Sequence, residues 1–370
     1  MKLKKLHIEG FRNINKIDLD LNPNVNVLLG QNAQGKTNIL ESIFLLVLTK
    51  SFRTNDINNL IKWENDFAKI DALKVNEQNN DEENLEIIIA KQNDSNKKQT
   101  KINAVKVKFV DFISHLTAVI FEPGDLNLII LEPTLRRRYM DILNSEICGE
   151  YLVALAKYNK IIKIRNKLLG NIRDNLSVID ELTFWDEKML DYGSFLIVKR
   201  KEMIDFYNQN LNEIFTKIAD KKTNLKIRYE SRIKSIDQED IRKELRELLE
   251  ISKLEDINYA RTSFGPHRDD ISFFIDDKDI REFGSRGEFR SLILALKICE
   301  LLYVENVTSE KPILLLDDVF SELDSNRRKY LLEVIKNYQT IITTTDKSHI
   351  KDLDKTKMSL FEIVAGDINN

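Results

Sequence analysis

Gly30-Gln31-Asn32-Ala33-Gln34-Gly35-Lys36-Thr37 fits the pattern GxxxxGK[ST] in full. Upstream of it, Val25-Asn26-Val27-Leu28-Leu29 is a short β-branched run, and downstream residues 37–48 carry apolar side chains at helical spacing. A strand, a Gly-containing loop and a helix in this order form a phosphate cradle, because the loop N–H groups and the positive end of the helix dipole face the same anion. Lys36 can reach the β- and γ-phosphates of a nucleoside triphosphate, and the Thr37 hydroxyl can ligate Mg2+. The expected cofactors are ATP and Mg2+, bound by Gly30, Gln31, Asn32, Ala33, Gln34, Gly35, Lys36 and Thr37, with Asn38 following.

Far downstream, Pro312-Ile313-Leu314-Leu315-Leu316-Asp317-Asp318 is an apolar strand that ends in two carboxylates. Asp317 is suited to hold Mg2+, directly or through water, and Asp318 to polarise an attacking water. Asp318, Asp317 and Lys36 are therefore the candidate catalytic residues. A strand ending in Asp-Asp is more often a turn cap, but Val319-Phe320-Ser321-Glu322-Leu323-Asp324 follows at once and resembles the D-loop of the ABC superfamily. Phe283-Gly284-Ser285-Arg286-Gly287-Glu288, before an amphipathic helix, resembles the ABC signature. Alone, Ser and Gly before a helix are an ordinary N-cap. One helix upstream of the acidic strand, they imply that Ser285 and Gly287 cap the γ-phosphate held by a second copy, with two ATPs in the seam of a dimer.

The separation of Lys36 from Ser285 distinguishes subclasses. Transporter subunits keep Walker A and signature much closer, whereas here a helical segment intervenes, resembling the SMC-like repair ATPases but too short for a long coiled-coil arm. Phe11-Arg12-Asn13, Lys50-Ser51-Phe52-Arg53-Thr54, Gly265-Pro266-His267-Arg268-Asp269-Asp270, the acidic strand with its D-loop, and Thr343-Thr344-Thr345-Asp346 all look like segments of the RecF family. The resemblance covers nearly the whole chain. It implies an α/β P-loop ABC-type ATPase head, with mixed sheets plus helices and an inserted α-helical lobe. It further implies an ATP-dependent homodimer and slow, DNA-stimulated ATP hydrolysis used as a conformational switch. Double-stranded and gapped DNA is the implied ligand, with RecR and RecO as partners and RecA indirectly. By resemblance to SMC-like heads, Arg12 is expected at the nucleotide phosphates; the alternative is an exposed arginine at a strand end. Phe121-Glu122-Pro123-Gly124-Asp125-Leu126 departs from the F-S-P-E-D-L usual in the family, and Leu131-Glu132-Pro133 replaces a Gly-containing turn. Transporter-type proteins carry a Glu after the Walker B Asp and a switch His after the last strand; here stand Asp318 and a Thr-Thr-Thr-Asp run.

Composition sets the outer limits. The 370 residues exceed the roughly 250–300 at which single cores stop growing. Lys+Arg and Asp+Glu nearly cancel to a formal net charge of -3, so attraction to DNA has to come from local patches. Candidates are Lys97/Lys98/Lys101, Arg136-Arg137-Arg138, Lys160/Lys163/Arg165/Lys167 and Lys199-Arg200-Lys201, each weighed against a solvated surface. Cys148 and Cys299 form neither a CxxC nor a disulfide framework, which fits a reducing cytoplasm. The longest apolar run, near residues 39–48, falls short of the ~20 residues a membrane span needs, so no membrane partner is expected.

Residues 1–125 read as strands around one helix, the N-terminal part of the ATPase lobe; 126–222 read as the inserted helical lobe; 223–370 read as the C-terminal part, where strands return. Residues 85–91 and 100–108 read as a hairpin around a polar turn at 92–98, and 340–344 as the final strand. A transporter or translation-type ABC ATPase, an OLD-like ATPase nuclease and a generic SMC-like head are the rivals. The first is disfavoured by spacing, the second by the absence of a toprim-like acidic domain, the third by the absence of a hinge and long heptads.

Overall fold

The structure, a computed structural model, describes all residues except 55, 78, 92–96, 131 and 370. The chain divides into two units. The first comprises Met1–Leu126, Ile214–Lys221 and Arg286–Asn370, the second Asn127–Glu213 and Lys222–Ser285.

Among the described residues two six-stranded sheets build the first unit. In one, Ile14–Asp20, Lys2–Phe11, Phe67–Val75, Glu82–Ala90, Lys97–Ile102 and Val105–Val107 run antiparallel in that order. Burial along Phe67–Val75 and Glu82–Ala90 alternates, as expected of strands with one packed face. In the other, Met358–Val364, Val25–Leu29, Thr340–Thr344, Ile313–Asp317 and Ala118–Phe121 are parallel neighbours, and Asp367–Asn369 adds an antiparallel edge. The inner strands are buried along their whole length, which accounts for their continuous apolar runs. The helices Lys36–Leu48 and Arg286–Thr308 are mostly buried as well. Because the strands are parallel and in register, Leu29, Thr343, Asp317 and Phe121 all fall at one carboxyl edge. That edge is where open parallel sheets bind ligands.

The second unit contains the helices Pro133–Ile147, Gly149–Arg173, Leu182–Ala219 (through Glu213) and Gln238–Tyr259, with a small antiparallel sheet of Leu225–Glu230, Asp270–Ile275 and Lys278–Asp279. Its core gathers Tyr151, Tyr158, Met189, Leu196, Ile241 and Leu245. Residues 222–285 thus group with the helical segment rather than with the C-terminal part expected from 223 onward. The reason is local pairing: Leu225–Glu230 pairs with Asp270–Ile275, so neither joins the six-stranded sheets.

Three further differences from the sequence reading stand out. Helix Gln238–Tyr259 was unexpected; its buried Ile241, Leu245 and Leu249 recur every fourth residue amid dense charge, and Asp237 caps its start by accepting from the Glu239 N–H. The segment 100–108 is itself a hairpin, because Asn103 and Ala104 both take positive φ and reverse the chain between Lys97–Ile102 and Val105–Val107. Of its expected polar turn, 92–96 lie outside the described residues, while Lys97 and Lys98 begin the strand. The strand Thr340–Thr344 is not the last, since Met358–Val364 follows and pairs with Val25–Leu29; the mixed burial of Met358–Val364 obscures it. Leu131, in the departing turn before the arginines, also lies outside the described residues.

Candidate nucleotide-binding site

Local backbone chemistry shapes the loop between Val25–Leu29 and Lys36–Leu48. Gly35 takes φ 107 as the helix N-cap, a conformation that requires glycine, and a Cβ there would meet the tip of the Asn13 side chain at 2.8 Å. Among the described residues no side chain caps the helix and its first turn carries no acid, so Lys36 and Thr37, which line the cavity, sit at an uncapped positive helix end. That cavity, about 430 Å3, is lined by loop residues Asn32 to Asn38 and by Asn13, Arg53, Asp317, Asp318 and Thr343. Gly30 and Gln31 contribute from beneath: Lys36 Nζ donates to their carbonyl oxygens at 2.7 and 2.8 Å. Burial lowers the Lys36 pKa, opposed by Asp318 and Asp317.

The acidic strand delivers its carboxylates to the same place. Thr37 Oγ1 donates to Asp317 Oδ1 at 2.9 Å, and Thr343 Oγ1 donates to the same oxygen at 2.7 Å. The Asp318 N–H donates to Thr343 Oγ1 at 2.9 Å, which ties the neighbouring strand ends together. Asp318 takes φ 51, and its Oδ1 is buried with no hydrogen-bond partner among the described residues. Burial raises its pKa, with Lys36 opposing and Asp317 adding to the shift. An aimed but unsatisfied carboxylate oxygen beside a phosphate cradle is suited to orient a water or accept its proton.

Arg12 does not line the cavity. It takes φ 54 and donates through Nε and Nη2 to Glu41 at 2.9 and 2.6 Å and through Nη1 to the Asn59 carbonyl at 2.7 Å. The buried Glu41 pairs with its charge and ties Arg12 to the P-loop helix. Arg53 lines the cavity in its place, donating to Asn38 Oδ1 at 2.8 Å and approaching Glu41 Oε2 at 3.3 Å; Ser51 also donates to Glu41. Gly287 is in the first turn of Arg286–Thr308 and is not among the cavity's lining residues; its carbonyl accepts from Arg327 Nη2 at 2.6 Å. Ser285 belongs to the second unit.

Sequence reading assigned no role at the cavity to Asn13, Arg53 or Thr343, although each belongs to a segment quoted for the family resemblance. After Thr340–Thr344, His349 stands in the short 3-10 helix Lys347–Ile350 with Nδ1 3.0 Å from Thr344 Oγ1. Three of the arginines in the basic patches are structural. Arg136 pairs with Asp270 at 2.7 Å, Arg165 with Asp186 and Asp256 at 2.7 and 2.8 Å, and Arg200 with Asp141 at 2.7 Å, all nearly devoid of solvent. Arg200 also holds the Pro266 carbonyl at 2.6 Å, and His267 Nδ1 lies 2.8 Å from the Tyr158 hydroxyl, so the Gly265–Asp270 stretch anchors the second unit's core.

Comparison with known proteins shows the family. The family model for the RecF/RecN/SMC N terminal domain matches residues 2–363. A curated DNA replication and repair protein RecF from Clostridium novyi (strain NT) is 37% identical over 370 residues, covering 100% of both chains. The chain belongs to the RecF family. A solved structure of the recombination mediator protein RecF-ATP in the RecFOR pathway aligns at TM-score 0.90 and 33% identity, covering 100% of this chain and 97% of that one. An SMC head bound to the C-winged helix domain of ScpA aligns at TM-score 0.58 and 16% identity, covering 100% and 97%, and shows the shared ABC-ATPase head fold. As a RecF-family member, the chain is a DNA replication and repair protein.

Proposed function

We propose that the chain is an ATP-dependent DNA clamp of recombinational repair that acts as a homodimer in the cytoplasm on double-stranded DNA near single-strand gaps, with RecR and RecO and, indirectly, RecA. The observation that carries the reading is the convergence of Lys36, Thr37, Asp317 and Asp318 on one cavity at a helix N-terminus. The solved RecF-ATP relative supports the nucleotide, and the RecFOR pathway to which that relative is assigned supports the partners. Among the described residues no helix is long and apolar enough to cross a membrane.

The donor set suits Mg2+. Asp317 and Thr37 are hard oxygen ligands, and among the described residues no group of three or more His, Cys, Asp or Glu side chains could enclose a metal. One carboxylate and one hydroxyl, completed by nucleotide phosphates and water, is how Mg2+ is commonly held. When bound, the ion would neutralise charge developing on the phosphates. The loop N–H groups and Lys36 orient the β- and γ-phosphates; Asp318 orients the water and accepts its proton. Its stem is one methylene shorter than the Glu of transporter-type enzymes, and misplacement near 1 Å costs roughly 100-fold, so turnover is slow.

Ser285 and Gly287 of a second copy complete the site over the γ-phosphate, so ATP favours the closed dimer and hydrolysis releases it. Sedimentation of wild type, Lys36→Ala and Asp318→Asn with ATP, with and without gapped duplex, tests the scheme. Asp318→Asn accumulates as a DNA-bound dimer while Lys36→Ala stays monomeric; equal dimerisation of all three refutes it. A turnover number above roughly 10 per second without DNA contradicts the timed switch.

A further inference from the structure

Arg327 lies in the first turn of the helix Ser325–Ile335, just past the segment that leads away from Asp318. Its guanidinium serves two elements of the first unit at once. Nη2 donates to the Gly287 carbonyl at 2.6 Å and to Ser291 Oγ at 2.8 Å, and Nε donates to the same hydroxyl at 3.0 Å. Nη1 pairs with Asp324, whose carboxylate also caps the helix by accepting the Arg327 N–H at 3.0 Å. Gly287 and Ser291 are four residues apart, so they share one face of the helix Arg286–Thr308, and the planar fork of an arginine spans that single turn. Ser291 is fully buried and the Arg327 side chain is only 14% exposed, so the grip is shielded from water. The other tie between the same elements, Arg290 with Glu322 at 3.2 Å, is 44% exposed on both sides and contributes little.

Glycine is the least restrained of residues, and a glycine in the first turn of a helix leaves that turn prone to fray. A turn that closes over a phosphate has to hold its N–H groups in place, since misplacement near 1 Å costs roughly 100-fold in rate. Fixing the Gly287 carbonyl from outside the helix supplies the missing restraint. The same arginine also ties this turn to the nucleotide cavity of its own chain. Residues 318–324 run from Asp318, which lines that cavity, to Asp324, which Arg327 holds. One short segment thus has the chain's own cavity at its start and, through Arg327, the Gly287 turn at its end.

We propose that Arg327 is a positioning residue for ATP hydrolysis that acts in trans, by setting the Gly287 turn that closes over the nucleotide of the second copy. The assignment rests on the dimer reading above. Arg327 itself meets neither nucleotide nor water; it acts through Gly287 and Ser291. A brace acting in cis would instead steady Asp318 through residues 318–324, and mixing subunits separates the two.

ATP turnover is measured on gapped duplex for wild type, Arg327→Gln, Arg327→Lys, Asp318→Asn and an equimolar mixture of Arg327→Gln with Asp318→Asn. In a mixed dimer, one site joins the intact Lys36 and Asp318 of the Arg327→Gln chain to the intact Gly287 turn of the Asp318→Asn chain. We expect Arg327→Gln alone to lose about tenfold or more in turnover. Arg327→Lys should lose nearly as much, because an ammonium cannot span carbonyl and hydroxyl as a fork does. The mixture should recover roughly a quarter of wild-type turnover, since random pairing makes about half of the dimers mixed, each with one competent site. Affinity of the monomeric Arg327→Gln chain for a fluorescent ATP analogue should match wild type. A mixture no more active than its parents, or wild-type turnover in Arg327→Gln, overturns the assignment. Should Arg327→Gln lose its cooperative urea transition, Ser291→Ala takes its place in the mixture; it removes one acceptor, keeps the charge and should lose about fivefold alone. Sedimentation judges the dimer separately. A wild type that stays monomeric with ATP overturns the dimer reading and the assignment with it, whereas one that dimerises while the mixture stays inactive overturns the assignment alone.

Discussion

Thr37 Oγ1 and Thr343 Oγ1 both donate to Asp317 Oδ1, at 2.9 and 2.7 Å, so one hydroxyl from the start of the helix Lys36–Leu48 and one from the strand Thr340–Thr344 converge on one carboxylate oxygen. Thr343 is the pivot of the pair, since it also accepts the Asp318 N–H at 2.9 Å. Thr343→Val should therefore leave that amide without its acceptor and cost about 1–3 kcal/mol in denaturant unfolding. ATP hydrolysis should fall by roughly 10–100-fold as both carboxylates lose their aim, while nucleotide affinity, set by Lys36 and the loop, changes little. Steady-state turnover and equilibrium nucleotide binding separate the two effects.

Glu41 is a second hub. It is fully buried on the P-loop helix and receives Arg12 through two nitrogens, Arg53 and Ser51. Glu41→Ala strands the Arg12 guanidinium and should cost about 3–5 kcal/mol. Urea midpoints measure this loss, and ATP affinity should fall alongside because Arg53 lines the nucleotide cavity.

Glu122 follows the strand Ala118–Phe121, and burial first, then Asp125, push its pKa up to about 7 against the opposing Lys297. The folded chain thus binds a proton there that the unfolded chain, titrating near 4.5, has released. Stability contributed by the protonated form is present below 4.5 and lost as pH rises through about 7. In the nucleotide-free protein, Glu122→Gln should be more stable than wild type by roughly 1–3 kcal/mol above pH 7 and equal to it below 4.5. Denaturation midpoints across this range check the crossover.

His267 runs the opposite way. Burial, then the neighbouring Arg268 and Arg137, lower its pKa to about 4, with the Thr262 carbonyl opposing. The unfolded chain takes up a proton near 6.5 that the folded chain refuses until about 4, so stability is full above 6.5 and drains away as pH falls to 4. The loss is roughly 3 kcal/mol. His267→Gln should flatten the acid limb of the stability curve, at the cost of the 2.8 Å contact with Tyr158.

The phosphate loop was legible because its chemistry is local: backbone N–H groups, a glycine at φ 107 and the helix that follows are written in consecutive residues. The inner strands were legible because burial on both faces demands an unbroken apolar run. Helix Gln238–Tyr259 was not, since a single narrow stripe of Ile241, Leu245 and Leu249 is hard to distinguish from a charged loop. Nor was the fate of the basic patches, because Arg136, Arg165 and Arg200 stand among surface-like neighbours until distant aspartates bury them.

The chain by itself determined the nucleotide motif, the acidic strand and the family, each carried by short runs of residues. Only the tertiary structure decided that Arg12 serves Glu41 while Arg53 and Thr343 reach the cavity, and that residues 222–285 group with the helical unit. A side chain's role depends on which partner lies within about 3 Å. Strand order and register set that distance, and they join residues as remote as Thr37 and Asp317, which no local pattern encodes.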